Sequence, residues 1–246
     1  MSKKFELTSN FKMFLGRKLF QIKAMVSFGD VKEGDLGGYI EKEENLSHDG
    51  NAWVYGDAKV CGNAEVYGDA EVCGNAWVCG DAEVYGNAWV YGGAKVYGDA
   101  KVYGDAEVYG DAEVYGDAKV CGNAEVYGDA EVCGNAWVYG DAKVYGDAEV
   151  YGDAKVCGDA EVYGNAWVYG DAKVCGNADY TTVKGFGTEF RTTTFFRCKD
   201  GAVRVRCGCF YGDLNEFREQ VKNTRSGKIA EEYLMIADLM EKHFKE

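Results

Sequence analysis

From Gly50 to Ala178 one six-residue phrase, Gly-[Asp/Asn]-Ala-[Glu/Lys/Trp]-Val-[Tyr/Cys], returns without insertion, with Val at every sixth position from Val54 to Val174. So short a period is far below the roughly 20–50 residues of a helical repeat unit, and it suits a β-solenoid of short strands separated by tight turns. Within the phrase Ala and Val lie two residues apart and share one side of an extended strand, while the Glu/Lys/Trp and Tyr/Cys positions share the other. The aliphatic side therefore faces inward. Gly followed by Asp or Asn makes the corner, because Gly accepts positive φ and Asx side chains hydrogen-bond the nearby backbone in turns. Gly93 stands once in the Asx place. The chain has no proline, as expected where most backbone N–H groups are ladder donors.

The net charge of −14 is carried by the repeat: residues 51–178 hold seven basic and twenty-two acidic side chains, whereas both flanks are nearly balanced. An acidic prism repels nucleic-acid phosphates and anionic lipid, so neither nucleic acid nor membrane is expected as a partner. The start, Met1 to Val26, has no unbroken apolar run of the secretory type, and no stretch is long and apolar enough to span a bilayer. A cytoplasmic location is expected. Seven of the ten cysteines (Cys61, Cys73, Cys79, Cys121, Cys133, Cys157 and Cys175) replace Tyr in the repeat, which reads as small fillers with free thiols.

The run Val-Tyr-Gly-Asp-Ala-Lys and its variants resembles the hexapeptide signature of left-handed parallel β-helix proteins, an aliphatic residue followed four positions later by a small one. The resemblance covers about half the chain and implies a fold: an all-β solenoid, a left-handed parallel β-helix of about seven three-sided coils, with coils stacked about 4.8 Å apart. It also implies a homotrimer. A two-sided coil of twelve residues competes with this reading. Asn51, Asp57, Asn63, Asp69, Asn75, Asp81 and Asn87 alternate, and Trp53, Trp77, Trp89 and Trp137 are spaced by multiples of twelve. Duplication of a twelve-residue unit accounts for the same spacing.

Residues 1–50 read as an N-terminal cap, 51–178 as the hexapeptide-repeat β-helix, and 179–246 as a C-terminal α+β module of one hairpin and two helices. Leu19 to Val26 has strand character, and the Gly-rich segment from Asp30 to Ile40 leads into the first regular coil at Asn51; solenoid ends need such covers. This lead-in, through Asn45-Leu46-Ser47, resembles that of a bacterial hexapeptide-repeat group usually labelled putative transferases and met in gut bacteria and their phages. Past Ala178, Arg191–Cys198 and Ala202–Cys209 read as strands joined at Asp200-Gly201. Asp213 with Glu216 makes a capping box for a helix over Leu214–Asn223, and a second helix runs to about His243 with Ile229, Tyr233, Ile236, Met240 and Phe244 in one stripe.

Left-handed β-helix proteins are best known as acyltransferases that use acyl-coenzyme A and a histidine base, so that activity is the alternative to be tested. The chain has only two histidines, His48 and His243, both outside the repeat, and no inserted loop from which to build an acceptor pocket. His48 is thus the one catalytic candidate, and no catalytic residue is assigned. Stacked corner aspartates suggest calcium, but Asn interrupts them and the calcium-binding nonapeptide of β-rolls is lacking. Cys207-Gly208-Cys209 with Cys198 lacks a fourth zinc ligand, and a hairpin turning at Asp200-Gly201 would set Cys207 against Thr194. No metal and no cofactor are expected.

Fourteen of the twenty-one positions from Tyr55 to Cys175 are Tyr, so each face would carry an aromatic column. With eighteen residues per coil, Lys101, Lys119, Trp137, Lys155 and Lys173 align in one column continuing from Glu65 and Glu83, while the other columns are mainly acidic. This basic stripe is the candidate ligand-binding site for a small anion or an acidic partner. The sequence reads as a non-enzymatic scaffold or binding protein, in its sharper, phage-associated form one that captures a host protein or a small anionic metabolite.

Overall fold

The computed structural model describes residues 3–188 and 190–245. Short strands, beginning with Trp53–Val54, Lys59–Val60 and Glu65–Val66, fall in rotation onto three parallel sheets, so the prism has three faces, named here in that order. Each strand pairs with the one eighteen residues on: Trp89 with Glu107, Lys95 with Glu113, Lys101 with Lys119. The coil is three-sided, and the twelve-residue alternative falls. Every Ala and Val of the repeat from Ala52 to Val174 is at most 1 % exposed. At the corners Gly110 shows what the turn demands: its φ is +73°, and a Cβ there would stand 2.9 Å from the backbone nitrogen of Gly128 one coil on.

The solenoid makes about eight turns rather than about seven, because the stacking starts ahead of the regular repeat. A long hairpin, β1 (Phe5–Phe14) and β2 (Arg17–Ala24), feeds β3 (Leu36–Ile40), which pairs in parallel with Lys59–Val60 on the second face. Leu46 bridges Val66 on the third face. Sequence reading placed a strand only over Leu19–Val26; β1 went unseen because its polar and apolar residues follow no clean alternation.

The ladder has a polarity that dictates what must cover each end. Backbone N–H groups of one coil donate to carbonyls of the next, as Trp89 N–H does to Ala106 O and Tyr91 N–H to Val108 O, both at 3.0 Å. The first coil is left with carbonyls that need donors and the last with amides that need acceptors. On the second face the backbone of β3 supplies donors, Tyr39 N–H to Ala58 O at 2.9 Å and, just beyond it, Glu41 N–H to Val60 O at 3.0 Å. On the first face a buried ammonium does so: Lys4 Nζ donates to Ala52 O at 2.9 Å and to Gly50 O at 3.3 Å. On the third, the buried Asn45 amide donates to Ala64 O at 2.8 Å and Gly62 O at 3.1 Å. At the far end the caps are acceptors: Asn177 Oδ1 takes Glu161 N–H, Thr194 Oγ1 takes Trp167 N–H, and Asp179 takes Cys175 N–H.

The C-terminal module is a four-stranded antiparallel sheet rather than one hairpin, in the order Tyr180–Val183, Thr193–Arg197, Val203–Cys207, Phe210–Asp213. Two helices cover it, α1 (Leu214–Thr224) and α2 (Gly227–His243), and the Asp213–Glu216 capping box opens α1 as read from sequence. Tyr233, Ile236, Met240 and Phe244 of the α2 stripe are buried in a second core with Phe195, Val205, Phe217 and Val221. Cys207 pairs with Thr193, not Thr194, because Arg197–Val203 is the last ladder pair and the turn takes Cys198 to Ala202.

The expected free thiols are also corrected in part. Disulfides join Cys61 to Cys79 and Cys157 to Cys175, each spanning 18 residues, so both arise where one coil sets Cys directly over Cys. Cys73, Cys121 and Cys133 have tyrosines as column neighbours and stay as thiols.

Burial lowers the Lys4 pKa from 10.5 to about 8, with Asp49 and Asp69 partly opposing. Between those values the unfolded chain binds more protons than the folded one, so this group's contribution makes stability rise with pH across that window. Lys4→Met leaves the Gly50 and Ala52 carbonyls without this donor, and we expect a loss of about 1–3 kcal/mol at neutral pH together with loss of that alkaline rise. Denaturant midpoints measured from pH 7 to pH 11 check both.

Candidate functional site

Each face carries a column of side chains at the Tyr/Cys position, and the rings stack. On the first face Tyr91, Tyr109, Tyr127 and Tyr145 lie with successive centroids 4.8 Å apart and planes within 5°. Tyr67, Tyr85 and Tyr103 repeat this on the third face and Tyr97 with Tyr115 on the second. Where the next coil offers one of these rings a glutamate, the hydroxyl bonds to it. Tyr91 donates to Glu107, Tyr97 to Glu113, Tyr109 to Glu125 and Tyr67 to Glu83, each at 2.8–2.9 Å and each reaching the outward residue of the next coil. Lysines then pair with the same carboxylates: Lys95 with Glu113 and Lys101 with Glu83 at 2.6 Å, Lys143 with Glu125 at 2.7 Å.

The corners form a second set of columns. Because eighteen is an odd multiple of six, Asn/Asp alternation along the chain becomes alternation up a corner: Asn51, Asp69, Asn87, Asp105, Asn123 and Asp141. Asn51, Asn87 and Asn123 each donate Nδ2–H to the aspartate one coil on at 2.8 Å. An amide between carboxylates replaces like-charge repulsion by a hydrogen bond. The alternation that suggested a two-sided coil thus serves one corner of a three-sided coil, while Asp81, Asp99 and Asp117 stack directly at another.

The column Lys101, Lys119, Trp137, Lys155 and Lys173 is continuous on the third face, above Glu83 and Glu65. Its charges are partly occupied. Lys101 pairs with Glu83, while Lys119 and Lys155 lie over the two sides of the column at the Trp137 ring, 5.8 Å and 5.1 Å from its centroid. The Trp137 Nε1–H points to Cys121 Sγ at 3.2 Å. Lys119 and Lys173 are the exposed members. A groove of about 400 Å³ runs beside Lys101, Lys119 and Trp137, but Asp99 and Asp117 border it too, so its field is mixed rather than cationic.

His48 is an exposed part of the N-terminal cover: its Nδ1 accepts the Lys4 backbone N–H at 3.2 Å and its ring stacks on Phe5 at 4.3 Å. His243 closes α2 against Phe244, at the other end of the prism. The two are never brought together. Cys198 is buried at the Ala172 bridge, and Thr193 donates to Cys207 Sγ at 3.2 Å. Among the described residues no group of three or more His, Cys, Asp or Glu side chains is placed to hold a metal ion, and no helix is long and apolar enough to cross a membrane.

The sequence matches no family model and no curated protein. The functional reading therefore rests on the geometry of the columns.

Burial, reinforced by the bond to glutamate, raises the pKa of Tyr67, Tyr91, Tyr97 and Tyr109 well above 10.0, and takes that of Tyr145 to about 12. The stabilisation these groups give is complete below pH 10 and is lost as pH rises through the folded values, because only the unfolded tyrosines ionise there. A tyrosinate absorbance titration should show a late phase in the native protein that moves back to pH 10 in denaturant. Tyr97→Phe should weaken that phase and lower stability by about 1 kcal/mol.

Proposed function

We propose that the chain is a non-enzymatic scaffold, a rigid three-faced strut that presents fixed charged and aromatic columns to a partner. The observation that carries this reading is the uninterrupted stacking from Trp53 to Val174, with outward tyrosines, glutamates, lysines and corner amides largely satisfied by one another. Groups already bonded along the columns stiffen the prism and are poorly placed to do chemistry. About eight turns at about 4.8 Å each give a strut close to 40 Å long.

The charge pattern also suits a second copy as partner. Lys119, Lys155 and Lys173 stand on one face, while Glu113, Glu131 and Glu149 share the second and Glu107, Glu125 and Glu161 the first. A basic face meeting an acidic face of the next subunit is a head-to-tail contact, and three copies around an axis close it, in keeping with the resemblance to hexapeptide-repeat β-helices. A small anion or an acidic host protein would use the same column.

Acyl transfer is the reading this excludes when tested. We expect hydrolysis of acetyl-coenzyme A in the presence of the protein to equal the buffer rate and to be unchanged by His48→Ala. Turnover that His48→Ala removes would overturn the scaffold reading. Native mass spectrometry of the same sample should show three chains per particle, shifting to single chains in Lys119→Glu/Lys155→Glu.

A further inference from the structure

Where the prism meets the C-terminal module, a cavity of about 430 Å³ opens between the second face and the sheet, bordered by Glu149 and Trp167 from the last coils and by Arg206 from the strand Val203–Cys207. Among the described residues, two opposite charges in its wall have no hydrogen-bond or ion-pair partner. The Arg206 guanidinium lies 5.0 Å from the Trp167 ring centroid and 5.6 Å from that of Tyr169, which fix its plane, yet it makes no hydrogen bond or ion pair among the described residues. Its Nε–H is shut off from water and has no acceptor. A buried donor left this way costs about 1–3 kcal/mol, more for a charged group. Glu149, on the facing wall, likewise makes no hydrogen bond or ion pair among the described residues; its nearest strand neighbours are Glu131 and Trp167, and neither can neutralise it.

The pair lines one cavity; burial and then Glu131 raise the Glu149 pKa, and the Arg206 charge partly opposes them. The two do not close into a salt bridge. The rest of the lining is mostly polar: Lys184 Nζ donates to Asn165 Oδ1 at 3.2 Å, Asn165 donates to Asp147 at 3.0 Å, and Arg191, itself already engaged, stands with Thr192 beside the exposed Phe190. The rim residue Phe190 is 66 % exposed and holds a φ of +49°, a strained place for an aromatic residue that is found at ligand clamps.

We propose that this cavity is a binding site for a free α-amino acid, whose carboxylate meets the Arg206 guanidinium and whose ammonium meets Glu149, with its side chain against Trp167 and Phe190. A zwitterion supplies both missing partners at once, whereas a simple anion leaves Glu149 beside added negative charge and a simple amine leaves Arg206 without an acceptor. The volume lies in the range of small-molecule sites and exceeds what one water or ion fills. The site stands apart from the third-face column and does not depend on the scaffold reading, which would survive its failure.

The test is a thermal-shift and calorimetric screen of the full chain against each standard L-amino acid at millimolar concentration, followed by the amide and the deaminated acid of any that binds. At least one amino acid with a large apolar side chain should bind, and converting its carboxylate to an amide or removing its ammonium should weaken binding about tenfold or more. Glu149→Gln, at a half-exposed position that folding tolerates, should weaken the zwitterion by a similar factor and leave the deaminated acid unaffected or better bound; Arg206→Gln should abolish both. No binding by any amino acid overturns the proposal, as does binding that is indifferent to Glu149→Gln or equally strong for the deaminated acid.

Discussion

The hydrogen-bond ladder between successive coils is the constraint on which the rest of the molecule depends. It runs one way, N–H of one turn to C=O of the next, so a finite stack ends in bare acceptors at one side and bare donors at the other. The covers match that polarity. The N-terminal end is closed by donors, the Lys4 ammonium, the Asn45 amide and the backbone of β3, and the C-terminal end by acceptors from Asn177, Thr194 and Asp179. The prism is thus a directed object, and its two ends could not exchange caps.

Stacking also changes the meaning of every outward residue. A glutamate in a single strand is a solvated charge; in this lattice Glu113 accepts from Tyr97 of the coil before it and pairs with Lys95 of the same coil. The same step sets Asn over Asp at the corners and Cys over Cys at two places on the faces. Surface chemistry that would ordinarily await a ligand is turned along the prism axis and used for stiffness. That supports a strut, and it moves attention from the regular faces to the junction with the C-terminal module, where Arg206 Nε–H has no acceptor among the described residues.

Much of the fold could be read before any coordinates. The inward Ala and Val, the Gly-Asx corners, the capping box of α1 and the alignment of Lys101, Lys119, Trp137, Lys155 and Lys173 all follow from short-range rules applied to a fixed period. What was missed lies where the period fails. β1 and the strands Tyr180–Val183 and Phe210–Asp213 are irregular in pattern and exist because a neighbouring strand fixes them. The two disulfides were legible in principle, as cysteines eighteen apart, but only once the coil length was known. The cavity at the junction left no signal, since Glu149 is one of many repeat glutamates and Arg206 lies far from it in the chain and outside the repeat.

The sequence alone determined the inside and outside of the prism, its corners and its acidic surface, because each depends on residues two to six apart and on side-chain size. Only the tertiary structure decided the number of sides, and with it which outward groups touch, which cysteines join, what closes each end and which side chains line the cavity at the junction. Those are properties of residues one coil or more apart. Their spacing is set by how three strands close around an alanine and valine core, a packing condition that no single repeat contains.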